Sequence, residues 1–178
     1  MLDTLKDLLA HQYEASLCTL NLAIERCPKA TWNQPVAQWT FCQAAFHAVF
    51  FGDVYLQPGD DVEAVKHQPF PFDHPGHFRD YEEMEDRPPV LPYEMPFVLT
   101  YLQHLRRKAA ETIAQESADV LAGPSGFQRR KCSRAELHIY NIRHIQHHAA
   151  QLILRLRLDT DVDIPWIGSG WRDPELIS

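Results

Sequence analysis

The sequence predicts an all-α fold: a four-helix bundle with one long proline-rich crossover between its second and third helices. Three observations carry this. Apolar residues recur at three- and four-residue steps in four separate stretches. Two of those stretches open on capping-box patterns, Thr40-x-x-Gln43 and Ser133-x-x-Glu136. Seven of the 13 prolines fall between Pro58 and Pro92, where no long helix could hold them. No convincing strand pair, internal repeat or low-complexity block stands against the helical reading.

The first helix is expected from about Leu2 to Cys27, with Leu5, Leu8, Leu9, Leu17, Leu20 and Ile24 as its apolar positions and Pro28 as its stop. Pro35 marks a second break in the loop that follows. The second helix opens at Thr40 and runs to about Gln57, before Pro58-Gly59. It is apolar nearly all round, through Phe41, Ala44, Ala45, Phe46, Val49, Phe50, Phe51 and Val54, so it should be the most buried of the four. The crossover carries an acidic cluster from Asp80 to Asp86 and room for a short helix near Phe78–Glu85. The third helix covers about Glu94 to Ser117, on Phe97, Leu99, Leu102, Leu105 and Ile113, with Pro96 tolerable in its first turn. Gly123-Pro124-Ser125-Gly126 is a loop, and the last helix runs from Ser133 to about Leu158. A tail over 158–178, with Pro165, Gly168 and Gly170, should be irregular.

At 178 residues, with roughly 150 residues per domain as the rule, the chain reads as a single domain over 1–178. Its net charge of −7 and lack of a long basic run argue against a nucleic-acid ligand, which is held mainly by Lys and Arg. The nearest basic cluster, Arg129-Arg130-Lys131 with Arg134, is short and abuts a helix start. No apolar run approaches the roughly 20 residues of a membrane span, and Met1 leads straight into an amphipathic pattern rather than a signal peptide. The four cysteines, Cys18, Cys27, Cys42 and Cys132, form no C-x-x-C pair, which suits free thiols in a reducing cytoplasm.

The ten histidines carry the functional signal. His144 and His148 lie four apart on the last helix and share a face, about 40° from one another on the wheel. They flank the buried stripe of Ile142, Ile145, Ala149, Leu152 and Leu156. Imidazoles at this spacing can converge on one metal ion, although a polar edge on a bundle helix would look the same. His47 stands among the aromatics of the most apolar helix, where an imidazole without a partner is costly to desolvate. One backbone carbonyl would satisfy it; so would a metal held jointly with the i, i+4 pair of another helix, as bundles build sites in their cores. Three nitrogen ligands leave a position open, the mark of a catalytic-type site. His147 could replace His148 if the helix were rotated. His74-Pro-Gly-His77 has ligand-like spacing but reads as a surface pair, and His11, His67, His104 and His138 as structural or solvated. Gln43, Tyr140 and Gln151 are candidates for orienting an imidazole or a bound water, with helix caps and ordinary interhelix hydrogen bonds as the competing account.

Trp39-Thr40-x-x-Gln43-x-x-x-His47, followed much later by His144-x-x-x-His148-x-x-Gln151, resembles the DinB-like (YfiT-like) family of metal-dependent four-helix proteins. Ala150 stands where members of that family commonly carry Gly, a departure that leaves the ligands untouched. The resemblance implies that His47, His144 and His148 form a three-histidine site for one divalent transition metal. Zinc, nickel and iron all accept imidazole, so the ligands do not choose among them. It further implies transfer of a low-molecular-weight thiol to a small electrophile, with metal-dependent hydrolysis in a minority of relatives, and a homodimer paired through bundle faces. The sequence suits the transferase version, because it contains no G-x-S-x-G elbow and no recognisable Cys-His nucleophile pair. Phe50, Phe51, Trp166 and Trp171 could wall an apolar pocket. A metal-containing bundle that binds a small ligand without turnover is the competing class.

Overall fold

The computed structural model describes residues 1–60 and 92–173. Its element order is α1 (Leu2–Glu25), α2 (Lys29–Trp32), β1 (Pro35–Val36), β2 (Trp39–Thr40), α3 (Phe41–Val54), α4 (Met95–Gln115), α5 (Ala118–Ala122) and α6 (Arg134–Thr160). The four long helices pack as a bundle in which α1 and α3 each lie against both α4 and α6. The ring order is therefore α1, α4, α3, α6. The expected crossover, its short helix near Phe78–Glu85, and His67, His74 and His77 lie outside the described residues.

α1 buries Leu9, Tyr13, Leu17, Leu20 and Ile24, a stripe at three- and four-residue steps. Leu8, read from the sequence as part of that stripe, is 52% exposed. It lies about 100° round the helix from Leu9 and so faces off the seam. The helix ends at Glu25, just ahead of Pro28, whose missing N–H begins the short turn α2.

The connector before α3 departs from the sequence reading. Pro35–Val36 and Trp39–Thr40 form a two-residue antiparallel pair, Pro35 opposite Thr40 and Val36 opposite Trp39. A hairpin this small shows no alternating pattern in sequence. Its turn uses Ala37 at φ 56°, a left-handed conformation with no glycine to announce it. The pair ends directly in the capping box: the Thr40 hydroxyl accepts from Gln43 N–H, and Gln43 Oε1 accepts from Thr40 N–H at 2.9 Å.

α3 is the most enclosed helix, as its composition required; of its 14 residues only His47 and Phe51 are not fully buried. Its C-terminal turn tightens through Leu56 N–H to Asp53 O and Gln57 N–H to Val54 O. The carbonyls left over at that end are taken by one side chain. Arg134, at the start of α6, donates to Tyr55 O at 3.0 Å, Gln57 O at 2.8 Å and Leu56 O at 2.9 Å. Its Nε also meets Glu116 Oε1 at 2.7 Å, and Glu116 Oε2 lies 2.7 Å from His138 Nε2. His138 is 1% exposed and reaches Tyr13 through Nδ1. Burial pushes the Glu116 carboxyl up, but the hydrogen bonds from His138 and Arg134 outweigh it and hold the group below its usual value. This network ties α1, α3, α4 and α6 together at one end of the bundle.

Two further elements differ in extent from the sequence reading. Ser117, the expected end of the third helix, instead caps the short α5, its side chain accepting from Val120 N–H. α6 runs to Thr160 and stops where Asp161 turns left-handed at φ 57°. The tail over 161–173 is irregular, as expected, and lies back along α1, with Gly170 N–H on His11 O and the Cys18 thiol on Arg172 O. Among the described residues, no helix is long and apolar enough to cross a membrane.

Candidate metal centre

The capping box sets the phase of α3, and that phase points His47 out of the core toward α6. On α6, His144 and His148 stand one turn apart on the face turned to α3. The three rings meet: centroids lie 5.4 Å apart for His47 and His144, 4.8 Å for His47 and His148, and 4.6 Å for His144 and His148. Each offers one nitrogen to a common point, and these nitrogens all lie within 4.8 Å of one another. Trp39, delivered by the small hairpin, covers the pair at 4.4 Å from His47 and 6.1 Å from His148. Phe51, one turn along α3, closes the other side at 4.7 Å from His47.

The electrostatics favour lone pairs over protons. Burial, then the neighbouring imidazoles His148 and His47, push His144 down to about 3. Burial, then His47, push His148 down to about 4, with the Gln151 hydrogen bond pulling the other way. At neutral pH both rings are neutral, the form that ligates a metal. The hydrogen bonding agrees. His148 Nδ1 lies 3.0 Å from Gln151 Oε1, so it carries the proton and leaves Nε2 with its lone pair. His144 Nε2 is buried and has no hydrogen-bond partner. A buried, unpaired imidazole nitrogen costs free energy that a bound cation would recover. The donor set fits a divalent transition metal. Imidazole ligands carry no charge of their own, so a bound divalent ion would keep its double charge and would favour anionic ligands.

This arrangement has a sequence-level counterpart. A family model described as the DinB superfamily matches residues 12–152. The chain belongs to the DinB superfamily. No curated protein and no solved structure matches it. The segment matched to DinB includes all three histidines and ends one turn past His148, leaving the irregular tail outside.

Within this DinB bundle the other expected residues take different places. His147 is exposed, and its Nε2 meets Gln151 Nε2 at 3.0 Å, so it lies outside the cluster but shares the glutamine with His148. Gln43 Oε1 is engaged in the cap of α3. The Tyr140 hydroxyl accepts from Arg130 Nη2 at 2.7 Å. Its ring meets Tyr55 at 5.2 Å, and Tyr55 meets His144 at 5.8 Å.

Of the four aromatics expected to wall a pocket, only Phe51 touches the histidines. Phe50 is fully buried in the core against Phe46, Trp166 is 75% exposed, and Trp171 lies 4.0 Å from the Arg106 guanidinium, against α4. The tail folds toward α1 and α4 rather than toward the α3–α6 face. Tyr55 and Arg130 were missed as site neighbours. Tyr55 follows the last residue of α3 at a helical step from Phe51, the one sequence signal that could have found it.

Proposed function

We propose that this DinB-superfamily protein is a metal-dependent transferase that moves a low-molecular-weight thiol onto a small electrophile. The observation that carries the reading is the convergence of three imidazoles on one point, with no carboxylate or cysteine among them in the described residues. A bound divalent ion would supply the chemistry by stabilising the deprotonated form of a thiol that reaches its open position.

The residues of the chain do the rest. His47, His144 and His148 would hold the ion, and Gln151 would keep His148 turned with Nε2 inward. Trp39 and Phe51 limit water at the cluster and offer an apolar wall to the electrophile. In the transfer, sulfur forms a bond to carbon, the proton displaced from sulfur passes to solvent, and the leaving group departs with its bonding pair. No nucleophile of the protein is needed. Two of its own cysteines would make poor nucleophiles, because burial raises the Cys18 thiol and pushes Cys27 up to about 12, with Cys42 adding to the latter.

The test is turnover of a panel of electrophiles with a panel of small thiols on metal-loaded protein. Chelation should abolish the reaction, return of metal should restore it, and single Ala replacements of Cys18, Cys27, Cys42 and Cys132 should leave it. No turnover across the panel with metal fully bound would overturn the transferase reading in favour of a binding bundle, and water acting in place of the thiol would make the protein a hydrolase.

A further inference from the structure

One helical turn before His144, α6 presents Tyr140, and the loop leading into α6 lays Arg130 beside it. The guanidinium Cζ stands 4.6 Å from the Tyr140 ring centroid, while Nη2 donates to the Tyr140 hydroxyl at 2.7 Å. Tyr55 joins the group from the end of α3, its ring at 5.2 Å from Tyr140 and 5.8 Å from His144. Tyr55 thus touches both His144 of the cluster and the Tyr140 ring on which Arg130 stacks.

The loop is held firmly enough to place the cation. Gly126 takes φ +83°, and a Cβ there would fall 1.9 Å from Pro58 O, so the loop packs directly on the segment after α3. Ser125 N–H bonds Cys132 O at 2.9 Å across the loop base, and Phe127 rests on Tyr55 at 5.7 Å.

Arg130 is a half-buried cation with no carboxylate partner among the described residues, in a chain of net charge −7 where acidic groups outnumber basic ones. Arg106, Lys108, Arg134, Arg155 and Arg157 all have one. Its Nε is buried with no hydrogen-bond partner, and its Nη1 reaches the Arg129 carbonyl only at 3.5 Å. Arg130 also lines a cavity of about 620 Å³ together with Phe127, Gln128 and Lys131. A planar donor fork stacked on an aromatic ring, with one N–H unpaired and a cavity beside it, is an arrangement that can receive a carboxylate.

We propose that Arg130, with the Tyr140 and Tyr55 hydroxyls, forms a carboxylate-binding subsite that holds the acidic end of the thiol substrate while its sulfur lies at the three histidines. The subsite rests on the thiol reading above and names the class of thiol: one bearing a carboxylate. The span is set by α6, about 6 Å of rise between Tyr140 and His144, plus the reach of the side chains.

The test uses the full chain loaded with cobalt(II), titrated with unbranched ω-mercapto-carboxylates of increasing length and with the matching ω-mercapto-amides. The readout is the sulfur-to-cobalt absorption band, which needs no turnover. At the best length the carboxylate should bind about tenfold or more tightly than its amide, and Arg130→Met should erase that preference while keeping its metal. Equal binding of acid and amide by the native protein overturns the subsite and leaves the thiol reading standing, as does a preference that survives in Arg130→Met. No band with any thiol overturns the thiol reading and the subsite together. Should Arg130→Met fail to fold, Arg130→Gln takes its place, and the native acid-against-amide comparison still decides.

Discussion

Gln151 Oε1 lies 3.0 Å from His148 Nδ1, so a glutamine three residues along the same helix decides which nitrogen of that histidine faces the cluster. The same carboxamide donates from Nε2 to His147 at 3.0 Å, which fixes its orientation from the other side. One side chain thus separates two adjacent histidines into a candidate ligand and an outer neighbour.

Replacing Gln151 by Leu should therefore weaken metal binding about 10–100-fold without unfolding the protein, the usual cost of losing an outer partner of a ligand imidazole. Competition with a chromophoric chelator reads the change. Unchanged affinity would mean that packing alone orients His148.

Alanine at His47, His144 or His148 should each cost more than the roughly 100-fold that an outer partner is worth, because a donor is lost outright. His147→Ala should keep its metal, since its ring is exposed and lies outside the cluster. Metal content after dialysis distinguishes the set. Full content in His148→Ala, with loss in His147→Ala, would shift the ligand assignment by one residue.

Acid should destabilise the metal-free protein through the same rings. His144 and His148 have folded values pushed down to about 3 and about 4, below the unfolded value near 6.5. The unfolded chain therefore takes up protons first as pH falls. Their contribution is fully present above about pH 6.5 and is lost as pH falls through the folded values, by up to about 1.4 kcal/mol per pH unit for each ring. Thermal unfolding of the chelated protein between pH 7.5 and 4.5 should show a falling midpoint, and a double His144→Ala, His148→Ala variant should show a shallower fall.

Arg134→Met should be among the most damaging single changes far from the cluster. It would strip the Tyr55, Leu56 and Gln57 carbonyls of their donor and leave Glu116 without its arginine, a cost of about 3–5 kcal/mol for breaking a buried pair. Urea unfolding measures it. A loss below about 1 kcal/mol would show that water replaces the guanidinium at little cost.

The four long helices were legible in the sequence because their information is local. Apolar spacing, the Thr40–Gln43 box and the prolines act over a few residues, and α3, α4 and α6 begin within a residue or two of where those signals place them. The i, i+4 relation of His144 and His148 is likewise local, and so was readable before any fold was known. What lay beyond the sequence depends on rigid-body packing and on which side of a helix a neighbour covers. Leu8 is exposed because α1 turns a different edge to the bundle, and Trp39 covers the histidines because a two-residue hairpin with a left-handed Ala37 carries it there. The tail tryptophans miss the cluster because backbone and ring contacts hold the tail to α1 and α4. The sequence by itself determined the helices and the three histidines; only the tertiary structure decided that His47 meets the other two, and that Tyr55 and Arg130 stand beside them, because such meetings depend on how α3, α6 and the loop between α5 and α6 dock, which no spacing along one chain segment encodes.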